Sequence, residues 1–131
     1  MTHPILPDTD VLVDYLRGRK NAVTLIQSCA DRIILSSIAV AELYAGVKGE
    51  NEEAALNDFV SLFRVVPVTQ TLAQTGGFLK RDYGKSHGIG LADAIIAATA
   101  LAEHAELKTL NTKHYPMFEG LRPAYDRPRP V

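Results

Sequence analysis

The segment "ILPDTDVLVDYLRG", residues 5–18, joins a short apolar run to two aspartates and then to a helix-like repeat. Residues 4–7 have the composition of a brief buried strand, and the apolar residues that follow keep the spacing of one helical face until Gly18. A buried strand that ends in a pair of carboxylates is unusual, because charged groups are costly to remove from water. The junction at Asp8 and Asp10 is therefore the first candidate for a functional site.

The same alternation of strand and helix continues along the chain. Further strands are predicted at 32–37, 64–68 and 107–111. Further helices are predicted at about 21–29, 38–48, 51–63, 72–84 and 91–105, with Asn21, Ser37 and either Thr69 or Thr71 as caps. Short apolar strands alternating with helices predict one α/β domain over residues 1–131, in which helices cover both faces of a mostly parallel sheet. The proline-limited tail from residue 120 holds at most one short edge strand.

The composition indicates the class of protein, its cellular compartment and the partners to expect. With 47% hydrophobic and 22% charged residues the chain resembles an ordinary globular domain, and its single cysteine suits a reducing, cytoplasmic compartment. The longest weakly polar run, residues 88–102, contains Asp93 and is shorter than the ~20 residues of a membrane span, so no membrane insertion is expected. A net charge of −1 gives no general attraction to polyanions, which leaves local basic clusters at 17–20, 80–85 and 122–130 to contact phosphate.

Several acids fall at comparable points of the predicted fold. Asp8 and Asp10 follow the first strand, Glu42 lies in the helix after the second strand, and Asp93 lies in the first turn of the alanine-rich helix. In open α/β sheets, ligands bind beyond the carboxyl ends of the strands. Glu42 and Asp93 have apolar neighbours on every side, which a solvated helix face explains poorly. We therefore expect these acids to meet at one edge of the sheet.

A cluster of carboxylates needs a counter-charge, because each carboxylate makes ionisation of its neighbour more costly. Hard oxygen ligands without His or Cys companions favour Mg²⁺ or Mn²⁺. Such an ion keeps several waters and leaves positions for a phosphate oxygen and an attacking water. The acids thus predict metal-assisted hydrolysis of a phosphodiester.

Four pieces of the chain carry a family resemblance: "PDTDVLVDYLRG", "LSSIAVAELYAG", "GLADAIIAATAL" and "TLNTKHY". In order and spacing they resemble the PIN-domain ribonucleases of the VapC toxin type. The resemblance implies a PIN-like three-layer α/β/α sandwich with a short, mostly parallel sheet of four or five strands. It also implies an endoribonuclease that depends on Mg²⁺ or Mn²⁺ and acts on RNA as the toxin of a type II toxin–antitoxin pair. A VapB-like antitoxin and a homodimer are the implied partners.

The resemblance also assigns residues to the site. By position, Asp8, Glu42 and Asp93 become the catalytic and metal-binding acids. Thr9 and Asp10 become auxiliary residues, Thr9 as a hydroxyl that orients a ligand and Asp10 mainly as a helix cap.

The chain departs from the family where a fourth acid is expected. In "TLNTKHY" the two positions at which that acid occurs hold Asn111 and His114. Asparagine supplies a neutral oxygen, and a histidine nitrogen suits softer metals better than it suits Mg²⁺. Asn111 is therefore predicted to be a weak ligand, and metal affinity is expected to be lower than in relatives with four acids.

Two other functions compete with the nuclease. The pair in "DTDVL" also resembles the nucleophile motif of haloacid-dehalogenase-type phosphatases, but Leu12 replaces the expected hydroxyl and no lysine follows in a matching context. A catalytically weak or inactive PIN-like interaction protein is the second alternative, which the missing fourth acid leaves open.

Apolar residues of the first two helices exceed what one face of a sheet needs. They are Leu12, Tyr15, Leu16, Leu25 and Ile26. A second copy of the chain or an antitoxin helix could cover the surplus. Basic residues that could contact RNA phosphates are Arg17, Arg19, Lys20, Lys80, Arg81 and Lys85.

Overall fold

The computed structural model describes residues 2–126, in which strands and helices follow each other as expected. The elements are β1 (Ile5–Pro7), α1 (Thr9–Leu16), α2 (Lys20–Ser28), β2 (Ile34–Ser36), α3 (Ser37–Ala45), α4 (Gly49–Ser61), β3 (Arg64–Val66), α5 (Gln70–His87), α6 (Leu91–Glu103) and β4 (Glu106–Lys108). Short 3₁₀ turns lie at Ala30–Arg32 and Thr112–His114.

The strands form parallel pairs. β1 pairs with β4 and β2 with β3, and a parallel bridge between Ile5 and Ile33 joins the two pairs. The order across the molecule is therefore β3-β2-β1-β4, and this confirms the predicted short parallel sheet of an α/β fold. The edge strand considered for the tail does not form up to Asp126, and residues 127–131 lie outside the described residues.

Every residue of β1 and β2 is buried. Successive residues of a strand point to opposite faces of the sheet, so this pattern means that both faces are covered. Leu6 and Leu35 are fully buried at the centre of the core. On the helical side, α6 contributes four buried alanines, at positions 94, 97, 98 and 100, whose small side chains let it lie close to its neighbours.

Helix caps differ from the sequence-based expectation at two of three positions. Arg19, not Asn21, is the N-cap of α2. The helix begins at Lys20, so Asn21 lies in its first turn, where its side chain donates to the backbone oxygen of Asp126 at 2.8 Å. Ser36, not Ser37, caps α3 by accepting from the backbone N–H of Ile38 at 3.3 Å. Thr69 caps α5, which is one of the two predicted alternatives.

A glycine sets the distance between α5 and α6. A Cβ atom at Gly76 would lie 2.8 Å from Ile95 Cγ1 and 3.1 Å from Ile95 Cα, whereas nothing lies within 4 Å of a Cβ at Gly77. The two helices therefore approach to backbone distance at Gly76. This contact places α6, the helix that carries Asp93.

The chain after β4 folds back over the start of the molecule. The N–H of Ala124 donates to the oxygen of Thr109 at 2.9 Å, and the Tyr125 hydroxyl donates to Oδ2 of the buried Asp14 at 2.8 Å. These bonds tie the tail both to α1 and to the loop that follows β4. Within residues 2–126, no helix has the length and apolar character needed to cross a bilayer.

Candidate active site

Three elements bring acids to the carboxyl end of the sheet. Asp8 follows β1 and is the N-cap of α1, Glu42 lies on α3, and Asp93 lies in the first turn of α6. Burial raises the pKa of Asp93 most, and the negative charges of Asp8 and then Glu42 raise it further. Asp8 and Glu42 therefore lie close enough to Asp93 to oppose its ionisation, as expected for acids that meet at one edge of an α/β sheet.

Asp8 is buried, with 3% of its surface exposed, and both of its oxygens are occupied. Oδ1 accepts from the backbone N–H of Thr9 at 2.8 Å, while Oδ2 accepts from the hydroxyls of Thr109 and Tyr115, each at 2.8 Å. Hydrogen bonds to the charged form of a carboxyl favour that form. The fold thus supplies three donors to an ionised Asp8.

Tyr115 is a permanent donor in this arrangement. Burial and then the charge of Asp8 raise the pKa of its hydroxyl well above the ordinary range, so the proton stays on the tyrosine. The hydroxyl can therefore only donate to the Asp8 carboxylate, whose orientation it fixes.

The auxiliary residues link α1 to its neighbours. The Thr9 hydroxyl donates to Glu42 Oε1 at 2.7 Å and so orients the exposed acid of α3. Asp10 Oδ1 accepts from the Val11 N–H at 2.7 Å, and Oδ2 accepts from the Leu110 N–H at 3.0 Å. The expectation that Asp10 acts mainly as the helix cap is wrong, because Asp8 is the N-cap and Asp10 joins the first turn of α1 to the loop after β4.

Neighbouring groups stabilise the carboxylate of Asp93 less well than they stabilise that of Asp8. Nδ1 of His114 lies 3.5 Å from Asp93 Oδ2, and this neighbour lowers the pKa of Asp93, although burial and the other acids outweigh it. The same Nδ1 is buried and makes no hydrogen bond of good geometry with any group in residues 2–126. Asn111 is exposed, and its backbone N–H donates to Thr109 Oγ1 at 3.1 Å. Its role as a weak metal ligand stays a prediction.

The donor set matches a hard divalent ion in its chemistry. Asp8, Glu42 and Asp93 offer carboxylate oxygens, and a cation would relieve the repulsion that raises the pKa of Asp93. In the described part of the chain, however, no three His, Cys, Asp or Glu side chains are already arranged around one metal position. Mg²⁺ typically binds through one or two carboxylates and keeps its remaining waters, so these residues fit such an ion without a closed cage.

Some of the basic residues expected to contact RNA are engaged within the protein. The Lys80 ammonium donates to the backbone oxygen of Ile89 at 2.9 Å, which fixes the loop before α6. Arg81 pairs with Asp82 at 2.8 Å and lies over the ring of Phe78. The predicted contacts at Arg17, Lys20 and Lys85 involve exposed side chains.

Sequence reasoning missed Thr109 and Tyr115. Thr109 directly follows β4, so the position rule that selects Asp8 would also have selected it. Tyr115 follows a 3₁₀ turn whose path no periodic pattern encodes, and the sequence carries no signal for its bond to Asp8.

Comparison with known proteins identifies the family of this chain. The sequence model of the PIN domain matches residues 5–116, and the chain belongs to the PIN domain family. Among curated relatives, Ribonuclease VapC19 of Mycobacterium tuberculosis is 43% identical over 124 residues, which cover 92% of this chain and 98% of that protein. Ribonuclease VapC10 of the same species is 39% identical over 127 residues, which cover 95% of each chain.

A solved structure described as a toxin–antitoxin complex from Klebsiella pneumoniae contains a similar chain. Its TM-score is 0.81 at 29% identity, and the alignment covers 94% of this chain and 99% of that one. The resemblance to VapC-type PIN domains is confirmed, and with it the PIN-like α/β fold. The haloacid-dehalogenase alternative loses its basis, since the matched family extends over most of the chain.

Proposed function

We propose that this protein is a cytoplasmic, metal-dependent endoribonuclease that hydrolyses RNA phosphodiester bonds as the toxin of a type II toxin–antitoxin pair, with residues 1–131 forming a single PIN domain. The observation that carries the proposal is that Asp8 and Glu42, which come from two other elements, place negative charge next to the partly buried Asp93 and raise its pKa. A bound cation would relieve this repulsion, and groups with perturbed pKa values cluster at functional sites. Relatives named as ribonucleases match almost the full chain and support the same reaction.

The roles follow from the contacts. Asp8, fixed by Thr109 and Tyr115, is the most rigid ligand for Mg²⁺ or Mn²⁺, and Asp93 supplies charge next to it. Glu42, oriented by Thr9, completes the acidic set from the exposed side. When bound, the divalent ion neutralises the phosphate and lowers the pKa of an attacking water. Exposed basic residues near the acids then contact the RNA backbone without reading its sequence.

An antitoxin site is proposed beside the acids. A groove of about 470 Å³ lies between α1, α3 and α4, with apolar walls that include Val13, Leu16 and Leu56. Glu42, Arg17 and Lys48 line the same groove. A VapB-like segment in this groove would lie next to the acids. The toxin–antitoxin complex among the similar structures supports such a partner. We also propose that two copies of the chain form a homodimer.

The decisive experiment is RNA cleavage with paired variants. Purified protein is incubated with a panel of structured RNAs in Mn²⁺, in parallel with Asp8→Asn, Asp93→Asn and the control Asp58→Asn on the exposed face of α4. Loss of charge stabilisation worth several kcal/mol reduces the rate by roughly a hundredfold or more in both site variants, while the control keeps full activity.

Two outcomes would contradict the nuclease. Cleavage that persists in both site variants would come from a contaminating enzyme. A wild-type chain that cuts no RNA in the panel yet binds a basic antitoxin peptide would favour the interaction protein.

The weak-ligand assignment of Asn111 has its own measurement. Asn111→Asp adds a carboxylate at the loop after β4, and calorimetric titration is expected to show tighter Mg²⁺ binding than in the wild type. Unchanged affinity would remove Asn111 from the ligand set.

A further inference from the structure

His114 presents a buried nitrogen that the protein does not use. Nδ1 makes no well-aligned hydrogen bond to any group in residues 2–126, although buried polar atoms of native proteins are almost always paired. The nearest charged group is Asp93 Oδ2 at 3.5 Å. A nitrogen lone pair that faces a carboxylate oxygen needs something positive between them, either a proton or a metal ion.

The fold fixes the imidazole ring in this position. A Cβ atom at Gly88, which ends α5 with a φ of +72°, would lie 3.8 Å from Nε2, so that side of the ring is close to the α5–α6 loop. The next residue, Tyr115, is bonded to Asp8. His114 is therefore held between the loop before α6 and the residue that orients Asp8, with Nδ1 directed at the acidic site.

The separation of the two atoms fits two ligands of one ion. Ligand atoms about 2.0–2.2 Å from a metal stand roughly 3.0–3.6 Å apart when they subtend about 90–110° at it. The 3.5 Å between His114 Nδ1 and Asp93 Oδ2 lies in that range. A metal ion would satisfy the nitrogen and relieve part of the repulsion on Asp93 at the same time.

We propose that His114 Nδ1 and Asp93 Oδ2 together ligate a divalent transition metal, so that the site prefers Mn²⁺ to Mg²⁺. Imidazole nitrogen binds first-row transition metals well, whereas Mg²⁺ prefers carboxylate and water oxygens. Water would fill the remaining positions on the ion. This inference rests on the proposed function, because it assigns the metal preference of the same site.

The test is the metal-binding spectrum of the intact chain. Electron spin-echo modulation of bound Mn²⁺ detects a coordinated ¹⁴N nucleus directly, without any measurement of activity. We expect the nitrogen signal in the wild type and in the control His104→Asn, whose position lies at the far end of α6 in a left-handed conformation that asparagine tolerates. The signal should disappear in His114→Ala and in His114→Gln.

Calorimetry on the same proteins measures the preference. His114→Ala is expected to weaken Mn²⁺ binding by about tenfold or more and to leave Mg²⁺ binding nearly unchanged. His114→Asp, which places a carboxylate beside Asp93, should shift the preference toward Mg²⁺. The glutamine variant keeps a side chain of similar size, so it reports on ligation even if the alanine variant fails to fold.

Two results separate this inference from the proposed nuclease. A wild-type chain that cleaves RNA, shows no nitrogen coupling and keeps its Mn²⁺ to Mg²⁺ ratio in His114→Gln would overturn the ligand and leave the nuclease standing. Nitrogen coupling in a chain that cleaves no RNA would support the ligand and overturn the nuclease.

Discussion

Two carboxylates at the same edge of the sheet have opposite environments. Asp8 accepts hydrogen bonds from Thr9, Thr109 and Tyr115, all directed at its charged form. Among residues 2–126, only His114 lies at ion-pair distance from Asp93, and burial and two neighbouring acids raise the pKa of Asp93. The protein itself therefore stabilises the charge of one ligand and leaves the charge of the other to be compensated. A site of this kind is rigid on one side and responsive to a cation on the other.

The largest effect is expected at the rigid side. Asp8→Asn removes the negative charge and replaces one accepting oxygen with an NH₂ group, which cannot accept a hydrogen bond. Whichever way the amide is turned, either the Thr9 N–H or the hydroxyls of Thr109 and Tyr115 lose their acceptor. We expect the free energy of unfolding in EDTA to fall by about 2–3 kcal/mol. Urea denaturation measures this loss, with the exposed Asp58→Asn changing stability by less than about 0.5 kcal/mol. Equal stability of Asp8→Asn and wild type would mean that the three hydrogen bonds do not hold the carboxylate.

The position of Asp93 depends instead on helix packing. Gly76→Ala forces a methyl group against the Ile95 backbone, which a flexible side chain cannot relieve, and is expected to cost about 1–3 kcal/mol. Gly77→Ala, at a helical position open to solvent, is the matched control and should stabilise by about 0.5–1 kcal/mol. Thermal denaturation of the two variants measures both changes in stability. Destabilisation by both would show that helix propensity, rather than the contact with α6, governs this region.

A smaller effect is expected from a single donor to Asp8. Tyr115→Phe removes one hydroxyl while Thr109 and the Thr9 N–H still donate, so the expected loss is about 1 kcal/mol. Tyr83→Phe, whose half-buried ring contacts His87, serves as the control with little change. Chemical denaturation in EDTA measures both. No difference between the two variants would assign the orientation of Asp8 to Thr109 and the Thr9 N–H.

The sequence predicts the position of Asp8 better than it predicts the surroundings of Asp93. The strand ending at Pro7 and the position rule for α/β sheets together locate Asp8, and the same rule locates Glu42 and Asp93 at the same edge. The contact between His114 and Asp93 was not predicted, because it depends on the path of the turn after β4, which periodicity does not encode. The caps at Ser36 and Arg19 were missed for a related reason: tertiary partners at Val68 and Asp126 take the side chains that local preference assigns to capping.

The smallest expected effect is a stabilisation rather than a loss of stability, and it concerns Asp93. The pKa of Asp93 in the folded protein lies above its unfolded value of about 3.9, so folding favours the protonated acid. Its contribution to stability is full below the unfolded pKa and is lost as the pH rises through the folded pKa. In EDTA at pH 7, Asp93→Asn should therefore be more stable than wild type, by less than about 1 kcal/mol because the site is partly solvated. This difference should vanish as the pH falls below about 4.

Saturating Mn²⁺ reverses the order of stability of wild type and Asp93→Asn. A hundredfold excess of Mn²⁺ over Kd adds about 2.7 kcal/mol to the free energy of unfolding of the chain that binds it, and nothing to that of the variant that does not. An Asp93→Asn variant that is less stable than wild type in EDTA would show that the His114 ion pair already compensates the charge, and that the two acids are alike.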